Sequence, residues 1–205
     1  MSKYGVGTLV PSSNIEKNGT QVPAPRDSNG TEVSAPRRFL PHIDLIGYYQ
    51  FVTFRTHDSI DDYLKRVRDE DISSQQKEYK IDQYIDMSSK GCYLNGDVLE
   101  YLKEFFITKD KSFYDLVAFC VMPNHVHILF KQNDEMKKIM KILKGSSSFQ
   151  INKMLGRKGT FWEENYYDTA IRDENHFDTL YVYIKNNPIK AELEDYKERF
   201  CSVYE

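Results

Sequence analysis

Two strand-like runs separated by only two residues dominate the middle of this chain. Residues 113–122 read as a strand, Pro123-Asn124 breaks it, and residues 125–131 resume as another. So short a connection favours antiparallel pairing of the two runs. An earlier strand, residues 48–55, is β-branched and aromatic. Elsewhere the pattern is helical. Residues 59 to about 90 are charged, with Ile60, Tyr63, Leu64 and Val67 at helix spacing. Asn95-Gly96-Asp97 opens a helix whose Val98, Leu99, Leu102, Phe105 and Phe106 make an apolar face. Residues 134 to about 155 form another, with Met136, Ile139, Met140 and Leu143 on the buried side and Lys137, Lys141 and Lys144 opposite. Residues 161–171 read as extended or irregular. Asp173 caps a last helix that runs to Asn187, with Pro188 after its end. Strands alternating with helices around a hairpin predict an α+β sandwich with a largely antiparallel sheet.

The 205 residues are 40% hydrophobic and 29% charged, which fits one soluble domain with its own core. No apolar run reaches the ~18–20 residues of a membrane span, and the start lacks the apolar stretch of a signal peptide. Cys92, Cys120 and Cys201 are odd in number and form no Cys-x-x-Cys pair. That argues against a disulfide framework or a cysteine zinc site and for a cytoplasmic setting. Residues 1–38, with Pro23-Ala24-Pro25 and Ala35-Pro36 among Ser, Asn, Thr and Gly, read as a disordered tail ahead of a domain spanning 39–205.

Net charge is −3, yet residues 131–160 carry +6, leaving −9 for the rest. A basic stripe on an acidic chain is the footprint of a nucleic-acid site, and equally of a solvated lysine-rich face. Lys137, Lys141, Lys144, Arg157 and Lys158 are the candidate phosphate contacts. Phe161, Trp162, Tyr166 and Tyr167 offer a stacking platform for unpaired bases, or a loop folded onto the core through the single Trp. Arg172 reads as a further phosphate contact or an ordinary salt-bridge partner.

His125-Val126-His127 lies in a strand, where side chains alternate, so both imidazoles point to one face. Two such histidines can converge on one divalent metal; the same tripeptide also occurs as half-buried strand histidines with hydrogen-bond partners. In the last helix Phe177, Leu180, Tyr181 and Ile184 form the apolar stripe. Tyr183 is rotated about 110° from it, and Asn187 follows one turn later on the Tyr183 face. A phenol beside an oxygen ligand suits a tyrosine nucleophile at a metal, and equally a semi-buried aromatic ahead of a helix-ending Asn-Pro.

Five ordered blocks carry a resemblance: Val-Met-Pro-Asn-His-Val-His-Ile-Leu (121–129), Leu-Lys-Gly (143–145), Gly-Thr-Phe-Trp (159–162), Tyr-Asp…Ile-Arg-Asp (167–173) and Tyr-Ile-Lys-Asn-Asn-Pro-Ile-Lys-Ala (183–191). Over roughly residues 38–200, least closely across 57–90, the chain resembles the HUH-superfamily single-tyrosine transposases, most of all the REP-associated tyrosine transposase branch. It departs from that pattern at Glu192, where the family has Gly, and at Phe200-Cys201-Ser202, which replaces a Trp-Ser pair. The resemblance implies a ferredoxin-like antiparallel sheet flanked by helices. It implies Tyr183 as nucleophile and His125, His127 and Asn187 as ligands of Mg²⁺ or Mn²⁺; the imidazoles favour Mn²⁺ in vitro. It implies cutting of single-stranded DNA near hairpins through a 5′-phosphotyrosine, by a nucleoid-associated monomer or homodimer. Two rival readings are a domesticated hairpin-DNA-binding protein without transposition activity and an unrelated metal hydrolase. The second would need more ligands than His42, His57 and His176 supply in any second motif.

Overall fold

The computed structural model describes residues 44–203, so the expected tail lies outside the described residues. The strands are β1 (Tyr49–Arg55), β2 (Tyr114–Val121), β3 (His125–Gln132), β4 (Tyr167–Ala170) and β5 (Phe200–Ser202). Between β1 and β2 run α1 (Asp62–Asp69), α2 (Ser74–Asp86) and α3 (Asp97–Thr108). After β3, α4 (Met136–Met140), a π-helical turn (Lys141–Ser146) and α5 (Ser147–Met154) make one continuous rod. The long α6 (Glu174–Lys190) follows β4, and the short α7 (Tyr196–Arg199) leads into β5.

The sheet is antiparallel throughout, in the order β4-β1-β3-β2-β5. Its first four strands and their crossover helices give the β-α-β-β-α-β order of a ferredoxin-like fold, and β5 extends the β2 edge. The expected hairpin closes across Pro123-Asn124, where Met122 N–H donates to His125 C=O at 2.9 Å. β1 lies beside β3 with Thr53 opposite His127 and Arg55 opposite His125. Alternation then sorts the side chains. Val52, Phe54, Val126, Ile128 and Phe130 share a core with Leu102, Phe106, Leu143 and Trp162. Phe51, Leu129 and Cys120 share another with Ile184 of α6. Thr53, Arg55, His125 and His127 therefore belong to the face that α6 covers. A smaller core of Leu64, Val67, Ile81 and Ile85 joins α1 to α2.

Four details refine the expectations or depart from them. The helical 59–90 stretch divides into α1 and α2. Ser73 starts α2 afresh with a capping box, its side chain accepting from Gln76 N–H while the Gln76 side chain accepts from Ser73 N–H. The last helix does not stop at Asn187. Pro188 lies inside α6 and removes only its own N–H, while Leu193 N–H donates to Pro188 C=O and Ala191 N–H to Asn187 C=O. The rod after β3 carries a π turn where uniform helix was expected. The C-terminal segment supplies a strand, held down by buried Arg199, which donates to the Leu94 and Val121 carbonyls at 3.1 and 2.9 Å and to Asn95 Oδ1 at 2.6 Å.

Candidate active site

Both histidines of β3 are fully buried, and their Nε2 atoms lie 3.0 Å apart. Neighbours set their tautomers. Asn124 gives its amide hydrogens to the carbonyls of Ile85, Ser88 and Lys90 at the end of α2. Its Oδ1 must then face His125 Nδ1, 2.9 Å away, so that nitrogen carries the proton. His127 Nδ1 meets Thr53 Oγ1 at 2.8 Å, and the Thr53 hydroxyl is itself bonded to Glu78. Each imidazole thus turns a bare Nε2 toward the same point, the arrangement metal-binding histidines adopt when the other ring nitrogen is anchored. Burial first, then the charge of Arg55, holds His127 down at about 4; burial, His127 and Arg55 hold His125 well below the ordinary histidine value. Both are neutral at pH 7.

Facing them is a column of acids on α2. Glu78, Asp82 and Asp86 recur every four residues and so share one helix face. Asp82 is buried, and one of its oxygens lies within 4.8 Å of ligand nitrogens on both histidines. Arg55 Nη2 donates to Asp82 Oδ1 at 2.9 Å and to Glu78. These two carboxylates outweigh burial and keep the guanidinium charged. Burial pushes Glu78 up to about 7 against the pull of Arg55, and burial together with the Asp82 charge pushes Asp86 up to about 7. Asp86 Oδ1 is 3.7 Å from His125 Nε2 and has no hydrogen-bond partner.

Tyr183 reaches this cluster from α6. Its hydroxyl donates to Asp82 Oδ2 at 2.6 Å, and its ring stands 5.2 Å from that of His127 and 6.0 Å from that of Phe51. Burial, and then the Asp82 charge, raise the phenol above its ordinary value. Tyr181, two residues earlier, points elsewhere and donates to Ser202 Oγ at 2.9 Å. Two neutral imidazole nitrogens and one carboxylate oxygen are a donor set that could hold a divalent metal ion.

The expected residues divide. His125, His127 and Tyr183 come together. Asn187 shares the Tyr183 face of α6 and is 2% exposed with its amide nitrogen unpartnered, but no hydrogen bond joins it to either histidine. Asp82 was not among the expected residues. Its signal was present in the repeat of like charges at helix spacing, which would be unfavourable on a merely solvated face. Of the basic residues, Lys137, Lys141, Lys158 and Arg172 are exposed. Lys144 is not part of a lysine stripe; it is half-buried and donates to the carbonyls of Glu164 at 2.6 Å and Asn165 at 3.3 Å. Arg157 stacks over Tyr93 and pairs with Asp58 at 2.6 Å. Trp162 is 4% exposed, with its indole N–H donating to Ser147 Oγ, so it is a core residue with no open face for a base.

A Haemophilus influenzae protein assigned to the REP-associated tyrosine transposases is 26% identical over 110 residues, 48% of this chain. The chain covers 62% of that relative's length. A REP-associated tyrosine transposase bound to a REP hairpin superposes at a TM-score of 0.44 with 18% identity, over 77% of this chain and 74% of that one. A Deinococcus radiodurans protein assigned as a transposase superposes at 0.40 with 18% identity, over 76% of this chain and 98% of that one. The model of IS200-like transposases matches residues 85–187, half of the chain, which contain both histidines, Tyr183 and Asn187 but stop short of Asp82. The chain belongs to the family of IS200-like transposases.

Proposed function

We propose that the protein is a metal-dependent single-stranded-DNA endonuclease and strand transferase that cuts near hairpins through Tyr183. The observation that carries the reading is the 2.6 Å hydrogen bond from Tyr183 Oη to Asp82, the carboxylate that clusters with His125 and His127. Family membership and the resemblance to the REP-associated branch support hairpin DNA as partner.

His125, His127 and Asp82 would hold the metal, with Asn187 a further oxygen donor one turn beyond the tyrosine. A divalent cation there would offset the phosphodiester charge and favour the phenolate. The chain's own groups do the rest. Asn124 and Thr53 keep both Nε2 atoms bare, and Arg55 holds Asp82 in place. Asp82 Oδ2 holds the phenol proton where it can be taken up as Tyr183 Oη closes on phosphorus. In that step the Oη–P bond forms and the P–O3′ bond breaks. The 5′-phosphate stays on Tyr183, and the departing 3′-oxygen takes a proton to become a free hydroxyl. The ester preserves the energy of the broken bond, so the same site can rejoin strands without a nucleotide cofactor. Lys137, Lys141, Lys158 and Arg172 are the exposed candidates for phosphate contact away from the site.

The test is a labelled single-stranded hairpin incubated with Mn²⁺ and resolved under denaturing conditions. Wild-type protein should form a covalent adduct that Tyr183→Phe abolishes while hairpin affinity stays within about twofold, because only a hydroxyl is lost. An adduct at wild-type level in Tyr183→Phe refutes the nucleophile. Hairpin binding without any wild-type adduct would make the protein a binding module instead.

A further inference from the structure

The walls of the tyrosine site are poor in available positive charge. Arg55 is buried and engaged by Glu78 and Asp82, and both histidines are fully buried. Three carboxylates line the same side on α2. Beyond the charge that a metal would offset, the strand flanking the scissile phosphodiester meets these carboxylates, and the last turn of α6 carries a cation beside them. Tyr183, Asn187 and Lys190 are spaced by four and three residues and so lie on one helix face. Lys190 Nζ stands 5.9 Å from the centre of the Tyr183 ring, and its charge also reaches Asp86. The lysine is exposed, and among the described residues no carboxylate lies within the 4 Å of an ion pair with it.

We infer that Lys190 is a phosphate contact of the tyrosine site, holding an anionic oxygen of the DNA strand beside Tyr183. This rests on the tyrosine reading above and adds a strand-binding residue to it. The site then has two parts on one helix, the phenol and, two turns on, the ammonium that positions its target. Flexible and strongly hydrated, a lysine suits this role as a point charge and imposes no bidentate geometry on the phosphate. The plain alternative is a lysine favouring the negative C-terminal end of α6.

Salt dependence separates the two. The full-length Tyr183→Phe chain, which cannot cut, is titrated with a fluorescein-labelled DNA oligonucleotide containing a hairpin with single-stranded arms, at fixed Mn²⁺ and varied monovalent salt. Adding Lys190→Gln should lower the slope of log K against log salt by about 0.7, the value for one contact on a single strand. Between 1 M and 50 mM salt that slope amounts to a loss of about eightfold in affinity at the low-salt end. Lys190→Arg should restore both. Lys185→Gln, on the same helix but turned away from the Tyr183 face, should leave the slope unchanged. An unaltered slope in Lys190→Gln, with only the melting temperature moved, assigns the lysine to the helix end and overturns the inference. So does an equal fall in Lys185→Gln. A wild-type chain that binds the oligonucleotide but forms no adduct would defeat the tyrosine reading, while the slope still decides for or against Lys190.

Discussion

Asp82→Asn separates the structural task of one side chain from its proposed metal-binding task. The new amide keeps the carboxylate's shape. Its oxygen can still accept from Arg55 Nη2, now 2.9 Å from Asp82 Oδ1. Its NH₂ would face Tyr183, whose hydroxyl can accept as well as donate. Arg55 retains Glu78 as a charged partner, so no buried guanidinium is stranded. The cost to the fold is that of weakening charge-assisted hydrogen bonds, about 1.5–3 kcal/mol. Metal affinity should suffer more: loss of even an outer hydrogen-bond partner of a ligand costs about 10–100-fold, and here an anionic ligand itself goes. At a Mn²⁺ concentration 100 times the wild-type Kd, linkage stabilises the wild-type fold by about 2.7 kcal/mol. A 100-fold weaker site at the same concentration gives about 0.4 kcal/mol. For a domain of this size 1 kcal/mol is about 2–4 °C, so the Mn²⁺-induced rise in Tm should drop from about 5–11 °C to about 1 °C. Thermal melts with and without Mn²⁺ measure this, with Kd taken from calorimetry. A variant that melts lower yet keeps the whole Mn²⁺-induced rise would show that Asp82 only braces Arg55 and Tyr183.

Arg55→Met should cost about 3–5 kcal/mol at pH 8, since it strands buried carboxylates, and less at pH 5. The fold holds Glu78 at about 7, so the stability from its protonated form is full below the unfolded value and is lost as pH rises through 7; without Arg55 that loss grows. Urea unfolding at the two pH values checks it, and equal deficits would contradict it. Lys137→Ala with Lys141→Ala should reduce the salt slope of DNA binding by about 0.7–0.9 per phosphate contact. Lys144→Ala should instead lower Tm and spare the slope, because its ammonium ties down the 164–165 carbonyls. Gly91→Ala should destabilise by about 1–3 kcal/mol in a thermal melt. Gly91 has φ +67°, and a Cβ there would sit 2.3 Å from Thr56 Oγ1 and 2.7 Å from Ser59 N; an unchanged Tm would mean that the Thr56 turn gives way freely.

The parts of the site that could be read directly were those set by local periodicity. Period two in a strand puts His125 and His127 on one face, and a four-residue step in a helix aligns Tyr183 with Asn187; neither depends on what lies opposite. Asp82 escaped because its meaning comes from α2 crossing the histidine face of the sheet, more than forty residues away along the chain. The same blindness to partners made Lys144, Arg157 and Trp162 look available. Their partners, the 164–165 carbonyls, Asp58 and Ser147, are tertiary neighbours that spacing does not reveal. Pro188 misled in another way: a proline in a last turn forfeits one hydrogen bond without ending the helix.

The site draws Thr53 from β1, Asp82 from α2, both histidines from β3 and Tyr183 from α6, and Asn124 fastens the end of α2 to the histidine strand. No hairpin, helix pair or proteolytic fragment can carry it. A chain emerging from synthesis consequently lacks the assembled site until both flanking helices have docked on the central strands, and a damaged chain loses the proposed chemistry together with its architecture. For a molecule whose proposed act is to cut single-stranded DNA, this makes correct folding itself the safety catch: heat should extinguish metal binding along the same curve that melts the sheet.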